Sequence, residues 1–81
     1  MDRIQAMQMF VRVAEAGSFV RAAETLSLPA STVTSTIKNL EKYLKVRLLN
    51  RTTRRVSLTP EGMQYLAQCR EILALIEHSE S

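Results

Sequence analysis

The sequence predicts a mainly α-helical fold: a winged helix-turn-helix with a three-helix core and a β-hairpin wing, followed by a C-terminal helix. Apolar residues recur at helical spacing in four stretches, and a proline separates the second stretch from the third. A segment rich in arginine and β-branched residues lies between the third and fourth stretches. With 81 residues, two glycines and two prolines, the chain is expected to form one small folded domain.

The first helix is expected over residues 2 to 16. Its predicted inner face consists of Ile4, Met7, Phe10, Val11 and Ala14, and its outer face of Arg3, Gln5, Arg12 and Glu15. Gly17 follows the periodic run and should end this helix in a left-handed conformation. Ser18 can then cap the second helix, and the same helix start could also receive a phosphate.

The second and third helices are predicted between Ser18 and Leu44. The apolar positions of the second are Phe19, Ala22, Ala23 and Leu26, and those of the third are Val33, Ile37, Leu40 and Leu44. Pro29 is tolerated in the first turn of a helix, so the corner is expected near residues 27 to 29. Two helices joined by so short a turn form a helix-turn-helix.

The third helix is predicted to expose a face without acidic residues. Ser31, Ser35, Lys38 and Lys42 lie opposite the apolar stripe, and Thr34 and Asn39 flank them. Glu41 lies nearer the apolar edge. Short hydroxyl side chains can approach base edges in the major groove of DNA, and lysines can reach phosphates. An ordinary solvated helix face would show the same pattern, so this helix alone does not distinguish a DNA-binding face from a solvated one.

The segment that follows is predicted to be a wing with strands from Val46 to Asn50 and from Arg55 to Leu58. Three arginines lie at its tip, Arg51, Arg54 and Arg55. Arginine suits phosphate or a narrow minor groove better than lysine does. A solubilising loop is the alternative, but the adjacent basic helix favours contact with nucleic acid.

The last helix is expected to open at Thr59, Pro60 and Glu61 and to run to about His78. Its apolar residues form a wide arc for so small a core. A symmetric dimer through this helix is predicted to use Met63, Leu66, Cys69, Leu73 and Ile76. Packing against the first helix of the same chain is the alternative, and we expect both.

The net charge of +3 is distributed unevenly along the chain. Residues 1 to 29 sum to zero, residues 30 to 58 hold seven bases and one acid, and residues 59 to 81 sum to −3. A basic block on a folded domain is typical of a protein that binds a polyanion.

The composition argues against several classes of function. One cysteine and one histidine cannot form an internal disulfide or assemble a zinc site. No apolar run approaches the ~20 residues of a membrane-spanning helix, and the first residues lack the features of a signal peptide, so a cytoplasmic location is expected. Cys69 and His78 have no catalytic partners in the sequence. We therefore expect no enzymatic activity, metal or cofactor.

Two motifs in order, MFVRVAEAGSFVRAAETLSL and STVTSTIKNLEKYLKVRLLNRTTRRVSLTPEG, resemble the DNA-binding domain of LysR-type transcriptional regulators. The resemblance covers about Ile4 to Gly62. It implies a winged helix-turn-helix domain over residues 1–59, with the motif at about 19–38 and the wing at about 46–58. It also implies a linker and dimerisation helix over residues 60–81.

The resemblance further implies a bacterial regulator that binds double-stranded promoter DNA at interrupted palindromes as a homodimer. Base contacts map onto Ala30, Ser31, Thr34, Ser35 and Arg54. Contacts to phosphate are expected from Ser18, Arg21, Thr32, Lys38, Lys42, Arg51 and Arg55. Family members carry a larger effector-binding domain after the linker helix, so the resemblance implies an isolated DNA-binding domain, and a small-molecule effector is expected only for the missing part.

The chain departs from the family pattern at several positions. Ser35 stands where many members carry arginine, so base preference there should be weaker or different. Lys45 replaces a frequent glycine and Leu49 a frequent phenylalanine. An alternative function is a protein-interaction module that reuses the helix-turn-helix scaffold, and binding that persists at high salt would distinguish it from DNA binding.

Overall fold

Four helices and one β-hairpin build the chain, and the computed structural model describes residues 1–52 and 55–80. In order, the elements are α1 (Arg3–Ala16), α2 (Phe19–Leu26), α3 (Ala30–Leu44), β1 (Leu49–Thr52), β2 (Arg55–Leu58) and α4 (Pro60–Glu80). The two strands pair antiparallel, with Leu49 opposite Leu58. The predicted winged helix-turn-helix fold is confirmed.

Helix α1 crosses the centre of the domain, where it contacts α2, α3, α4 and β2. The Asp2 carboxylate caps it by accepting a hydrogen bond from the Gln5 backbone N–H at 3.1 Å, and Gly17 ends it at φ 68° as predicted. Its buried residues are Ala6, Met7, Met9, Phe10 and Val13. The prediction for Ile4 was wrong, because its side chain is 46% exposed at the beginning of the helix.

The helix-turn-helix follows the predicted pattern closely. The Ser18 hydroxyl accepts a hydrogen bond from the Arg21 backbone N–H at 3.2 Å and so caps α2. Pro29 immediately precedes α3 and does not lie inside its first turn. The stripe of α3 forms the core: Val33, Ile37 and Leu40 are fully buried, and Leu44 is half-buried.

The first strand begins later than predicted, at Leu49 instead of Val46. Lys45 adopts a left-handed conformation at φ 58° and ends α3. The Glu41 carboxylate then accepts hydrogen bonds from the backbone N–H groups of Leu48 and Leu49, at 2.8 and 3.2 Å. The chain therefore runs past the end of α3 before strand pairing begins, which places Arg51 within β1.

Helix α4 is joined tightly to the segment before β1. The hydroxyl of the buried Thr59 caps α4 by accepting a hydrogen bond from the Gly62 backbone N–H at 2.9 Å, and it donates one to the Arg47 carbonyl at 2.6 Å. A Cβ atom at Gly62 would overlap the Leu48 carbonyl oxygen. Glycine is required here because the two backbones approach so closely.

Candidate nucleic-acid interface

The outward face of α3 is exposed as the sequence predicts. Ser31, Thr32, Ser35, Lys38, Asn39 and Lys42 are all exposed, whereas Ala30 and Thr34 are half-buried. The Thr34 hydroxyl donates a hydrogen bond to the Ala30 carbonyl at 3.0 Å. With its proton committed to the backbone, this hydroxyl is left with acceptor capacity for a base.

Glu41, the single acid among residues 30 to 58, is turned away from that face. Its side chain is only 13% exposed, and its two carboxylate oxygens contact the segment from Leu48 to Arg51. Within the described part of this block, the ion pair of Glu41 is with Arg51, so Lys38, Lys42, Lys45, Arg47 and Arg55 are not paired with it. This arrangement is favourable for an anionic ligand.

Arg51 holds a position that sequence reasoning did not foresee. Its guanidinium donates a hydrogen bond to the Glu41 carboxylate at 2.9 Å and lies 5.4 Å from the centre of the Phe19 ring. The side chain is 32% exposed, so part of the guanidinium still faces solvent. The signal in the sequence was the solitary acid within a basic block, since a half-buried carboxylate needs a cationic partner.

An open concavity of about 690 Å³ separates α3 from the segment that leads into β1. Lys38 and Lys42 line it from the helix, and Lys45 and Arg47 line it from the connecting segment. The predicted site did not include Lys45 or Arg47, although both were counted in the basic block. Their position next to α3 extends the cationic surface from the helix toward the wing.

The other predicted contacts lie at α2 and the wing. Arg21 is exposed on α2, and Arg55 is exposed at the beginning of β2. The Val56 backbone N–H donates to the Gly17 carbonyl at 3.4 Å, which brings β2 beside the turn before α2. Arg54 lies outside the described residues.

The predicted dimerisation residues divide into two groups. Leu66 and Cys69 are buried in the chain's own core, so they have no surface for a second copy, and the prediction for them was wrong. Both side chains lie on the side of α4 that packs against the wide apolar side of α1. Leu73 and Ile76 are half-buried, and Met63 is 62% exposed.

The apolar surface that α4 leaves open lies mainly along another edge. Ile72 is 42% exposed and Leu75 is 69% exposed. Ile72 also lines an apolar groove of about 340 Å³ between α1, the end of α3 and α4. Its lining includes Ile4, Tyr43, Tyr65 and Ile76. At the rim, Arg3 donates a hydrogen bond to the Tyr43 hydroxyl at 3.0 Å.

Cys69 is a buried free cysteine. Burial raises the pKa of its thiol above the ordinary value, and burial together with the neighbouring Cys69 raises the pKa of Tyr65 to about 12. Over residues 1–52 and 55–80, no group of three or more His, Cys, Asp or Glu side chains could hold a metal ion. Among the helices described, none is long and apolar enough to cross a membrane.

Three comparisons relate this geometry to known proteins. An HTH-type transcriptional repressor of Pseudomonas aeruginosa strain UCBPP-PA14 is 49% identical over 81 residues, which is 100% of this chain and 26% of the repressor. The BenM DBD, solved in complex with benA site 1 DNA, superposes with a TM-score of 0.91 at 32% identity, covering 94% of this chain and 88% of that one. The CbnR DBD, solved in complex with DNA, gives 0.93 at 35% identity, covering 95% and 88%.

The chain spans about a quarter of the length of the curated relatives that it matches. A family model described as bacterial regulatory helix-turn-helix protein, lysR family, matches residues 4–63. That range begins in α1 and ends in the first turn of α4, so it includes the whole helix-turn-helix and the wing. The chain therefore belongs to the lysR family of bacterial regulatory helix-turn-helix proteins.

Proposed function

We propose that this chain binds double-stranded promoter DNA sequence-specifically, as the DNA-contacting domain of a bacterial transcription regulator. It acts as a homodimer on interrupted palindromic sites, with α3 in the major groove and the wing against the minor groove or backbone. The function is binding without catalysis. The site of action is the bacterial cytoplasm, where promoter DNA lies.

The observation that carries this proposal is the exposed polar face of α3 beside a concavity lined by five basic residues. Glu41 also lines this concavity, but its carboxylate accepts hydrogen bonds from the segment that leads into β1 and from Arg51, so its charge is offset by these donors. The relatives solved with DNA share this fold at more than 30% identity.

The beginning of α3 is the part that reads bases in this proposal. Ser31, Thr34 and Ser35 offer short hydroxyls to base edges, and the Ala30 methyl can contact a thymine methyl. Arg54 of the wing completes the proposed base contacts. The phosphate contacts are Ser18, Arg21, Thr32, Lys38, Lys42, Arg51 and Arg55, to which we add Lys45 and Arg47 from the concavity.

The concavity suits the phosphate ridge between two grooves. With α3 in the major groove and the wing at the neighbouring minor groove, one sugar-phosphate strand must pass between them. The cations on both walls, Lys38 and Lys42 on one side and Lys45 and Arg47 on the other, are placed to meet it.

We further propose that α4 holds the dimer, through a surface shifted from the predicted one. Ile72 and Leu75 lie about 60° apart on a helix that advances about 100° per residue, and Ile72 lines the apolar groove. A second copy would cover this band and bring two α3 helices onto one duplex. Leu73 and Ile76 contribute their exposed edges, and Met63 lies on the opposite edge of α4.

The relatives are about four times as long as this chain, so a domain that senses a small metabolite belongs to the proposal for the whole regulator. We place the sensing site in the additional length that the relatives have beyond the part matched by this chain.

The test is selection of bound duplexes from a random pool, at low and at high salt, followed by sequencing. We expect an enriched inverted repeat whose affinity falls steeply with salt. Enrichment of a half-site alone would contradict the dimer but would still support sequence-specific DNA binding. No enrichment at all would contradict DNA binding and favour the interaction module, whose partner would be retained regardless of salt.

A further inference from the structure

We infer that Glu41 is a positioning residue whose carboxylate sets the orientation of the wing relative to α3. This inference rests on the proposed DNA binding and adds to it a means of coupling the two contact regions. Glu41 touches no DNA in this scheme. It acts through the residues that it holds.

Glu41 lies three residues before the end of α3, and its carboxylate reaches across to the segment that enters β1. One oxygen accepts hydrogen bonds from the backbone N–H groups of Leu48 and Leu49, and the other accepts one from Arg51. Three donors thus converge on one carboxylate that is 13% exposed. Hydrogen bonds to an ionised group are about twice as strong as neutral ones.

The same contacts extend to α2 through Arg51. The guanidinium that pairs with Glu41 also lies over the Phe19 ring, at the first residue of α2. The second strand has its own attachment, from the Val56 backbone N–H to the Gly17 carbonyl at 3.4 Å. A two-stranded hairpin is marginally stable on its own, so these attachments, together with the buried Leu49 side chain, determine its orientation.

Two physical accounts of Glu41 predict opposite signs for the same substitution. If Glu41 were only a negative charge near the phosphates, Glu41→Gln would remove a repulsion and tighten DNA binding. If Glu41 positions the wing, the same change weakens binding. Glutamine has nearly the same shape, but its amide nitrogen cannot accept a hydrogen bond, so it cannot satisfy Arg51 and both backbone N–H groups together.

The experiment measures the affinity and the hydroxyl-radical footprint of Glu41→Gln on a duplex enriched from a random pool by the unmodified chain. The matched control is Glu24→Gln, which makes the same change of charge at an exposed position of α2. We expect Glu41→Gln to bind about tenfold more weakly, the loss of roughly one arginine contact. Protection under the wing should disappear while protection under α3 remains. Glu24→Gln should bind at least as tightly as the unmodified chain.

Equal affinity and equal footprints for the two variants would overturn the inference. If circular dichroism shows that Glu41→Gln does not fold, Glu41→Asp provides the test, because it keeps the negative charge but withdraws the carboxylate by one methylene from its three donors. It should lose the same wing protection, and a full footprint would again overturn the inference.

Failure of the proposed function would look different. In that case the unmodified chain would enrich no duplex. The positioning of the wing would then be tested by amide chemical shifts, where Glu41→Gln should move the signals of β1 and β2 far more than Glu24→Gln does. Unmoved hairpin signals would reject the positioning role whatever the chain binds.

Discussion

Helices α3 and α4 are both long and amphipathic, but the chain covers their apolar surfaces to different extents. The stripe of α3, from Val33 to Leu40, is fully buried. Helix α4 buries Leu66 and Cys69 in its first half, whereas Ile72 and Leu75 further along remain exposed. The chain therefore buries the apolar stripe of α3 but leaves part of the apolar surface of α4 exposed to solvent.

The regions that contain α3 and α4 also differ in net charge. The block that contains α3 has six more bases than acids, and the block that contains α4 sums to −3. A helix whose apolar stripe is already covered can present its polar face to a polyanion. A helix with surplus apolar surface and net negative charge is suited to a protein surface, and the partner that we propose is a second copy of the chain.

The largest expected effect concerns the joint between these two regions. Gly62→Ala should lower the free energy of unfolding by about 3 kcal/mol or more, because the added Cβ overlaps the Leu48 carbonyl oxygen. Gly17→Ala is the control: nothing lies within 4 Å of its added Cβ, but its φ of 68° is strained for alanine, at a cost of about 1 kcal/mol. Urea denaturation measures both. Equal losses would show that the joint has room for a methyl group.

The next prediction tests the surplus surface of α4. Ile72→Glu should raise the dissociation constant of the dimer about tenfold or more, because a charge would enter an apolar contact. Ala74→Glu adds the same charge at an exposed position on the far side of α4, the side on which Met63 lies roughly one to two dozen ångströms away along the helix axis. Sedimentation equilibrium measures both dissociation constants. A larger effect of Ala74→Glu would place the dimer contact on the Met63 edge.

Substitutions on the polar face of α3 should distinguish residues that contact phosphates from residues that contact bases. Lys38→Ala should reduce the slope of log affinity against log salt by about one unit, with little change in the preferred sequence. Ser35→Ala should keep the slope and alter the preference at one base position. Binding titrations at several salt concentrations, on the selected duplex and its single-base variants, measure both. An unchanged slope for Lys38→Ala would remove that lysine from the phosphate contacts.

The smallest expected effect is the dependence of stability on pH. The pKa values of Cys69 and Tyr65 are raised in the folded chain, so the folded state retains protons that the unfolded state loses. The free energy of unfolding should therefore be insensitive to these groups at neutral pH and should fall as pH rises above the ordinary thiol value of 9.0. Urea denaturation between neutral and alkaline pH measures the decline, and Cys69→Ala should make it shallower. An equal decline in that variant would exclude the thiol as a cause.

The sequence was most informative where one helix face meets one core. For α3, the spacing of four apolar residues predicted both the buried stripe and the exposed polar face, and the structure confirms both. For α1, the same reasoning failed in part. This helix contacts four other elements, so its buried side is wide, and Ala6, Met9 and Val13 are buried while Ile4 is not. Periodicity shows which side of a helix is buried, but it does not show how wide that buried side is.

The contacts of single side chains were less predictable. The acid-free face of α3 was expected, but the pattern gave no indication that Glu41 accepts hydrogen bonds from backbone groups seven and eight residues further along. Those bonds also explain why β1 begins late. The dimer residues on α4 were misassigned in part because a periodic stripe cannot distinguish a contact within the chain from one between chains.

The close approach of Gly62 to Leu48 has a consequence for transplanting this domain. Thr59 donates its backbone N–H to the Leu48 carbonyl, and its hydroxyl bonds to Arg47, so two segments more than ten residues apart form a single joint. A fusion of this winged helix-turn-helix domain to a foreign helix must therefore retain both segments. A fusion made before residue 59 would discard the threonine and the glycine that allow the two backbones to meet, whereas one made beyond residue 62 retains them.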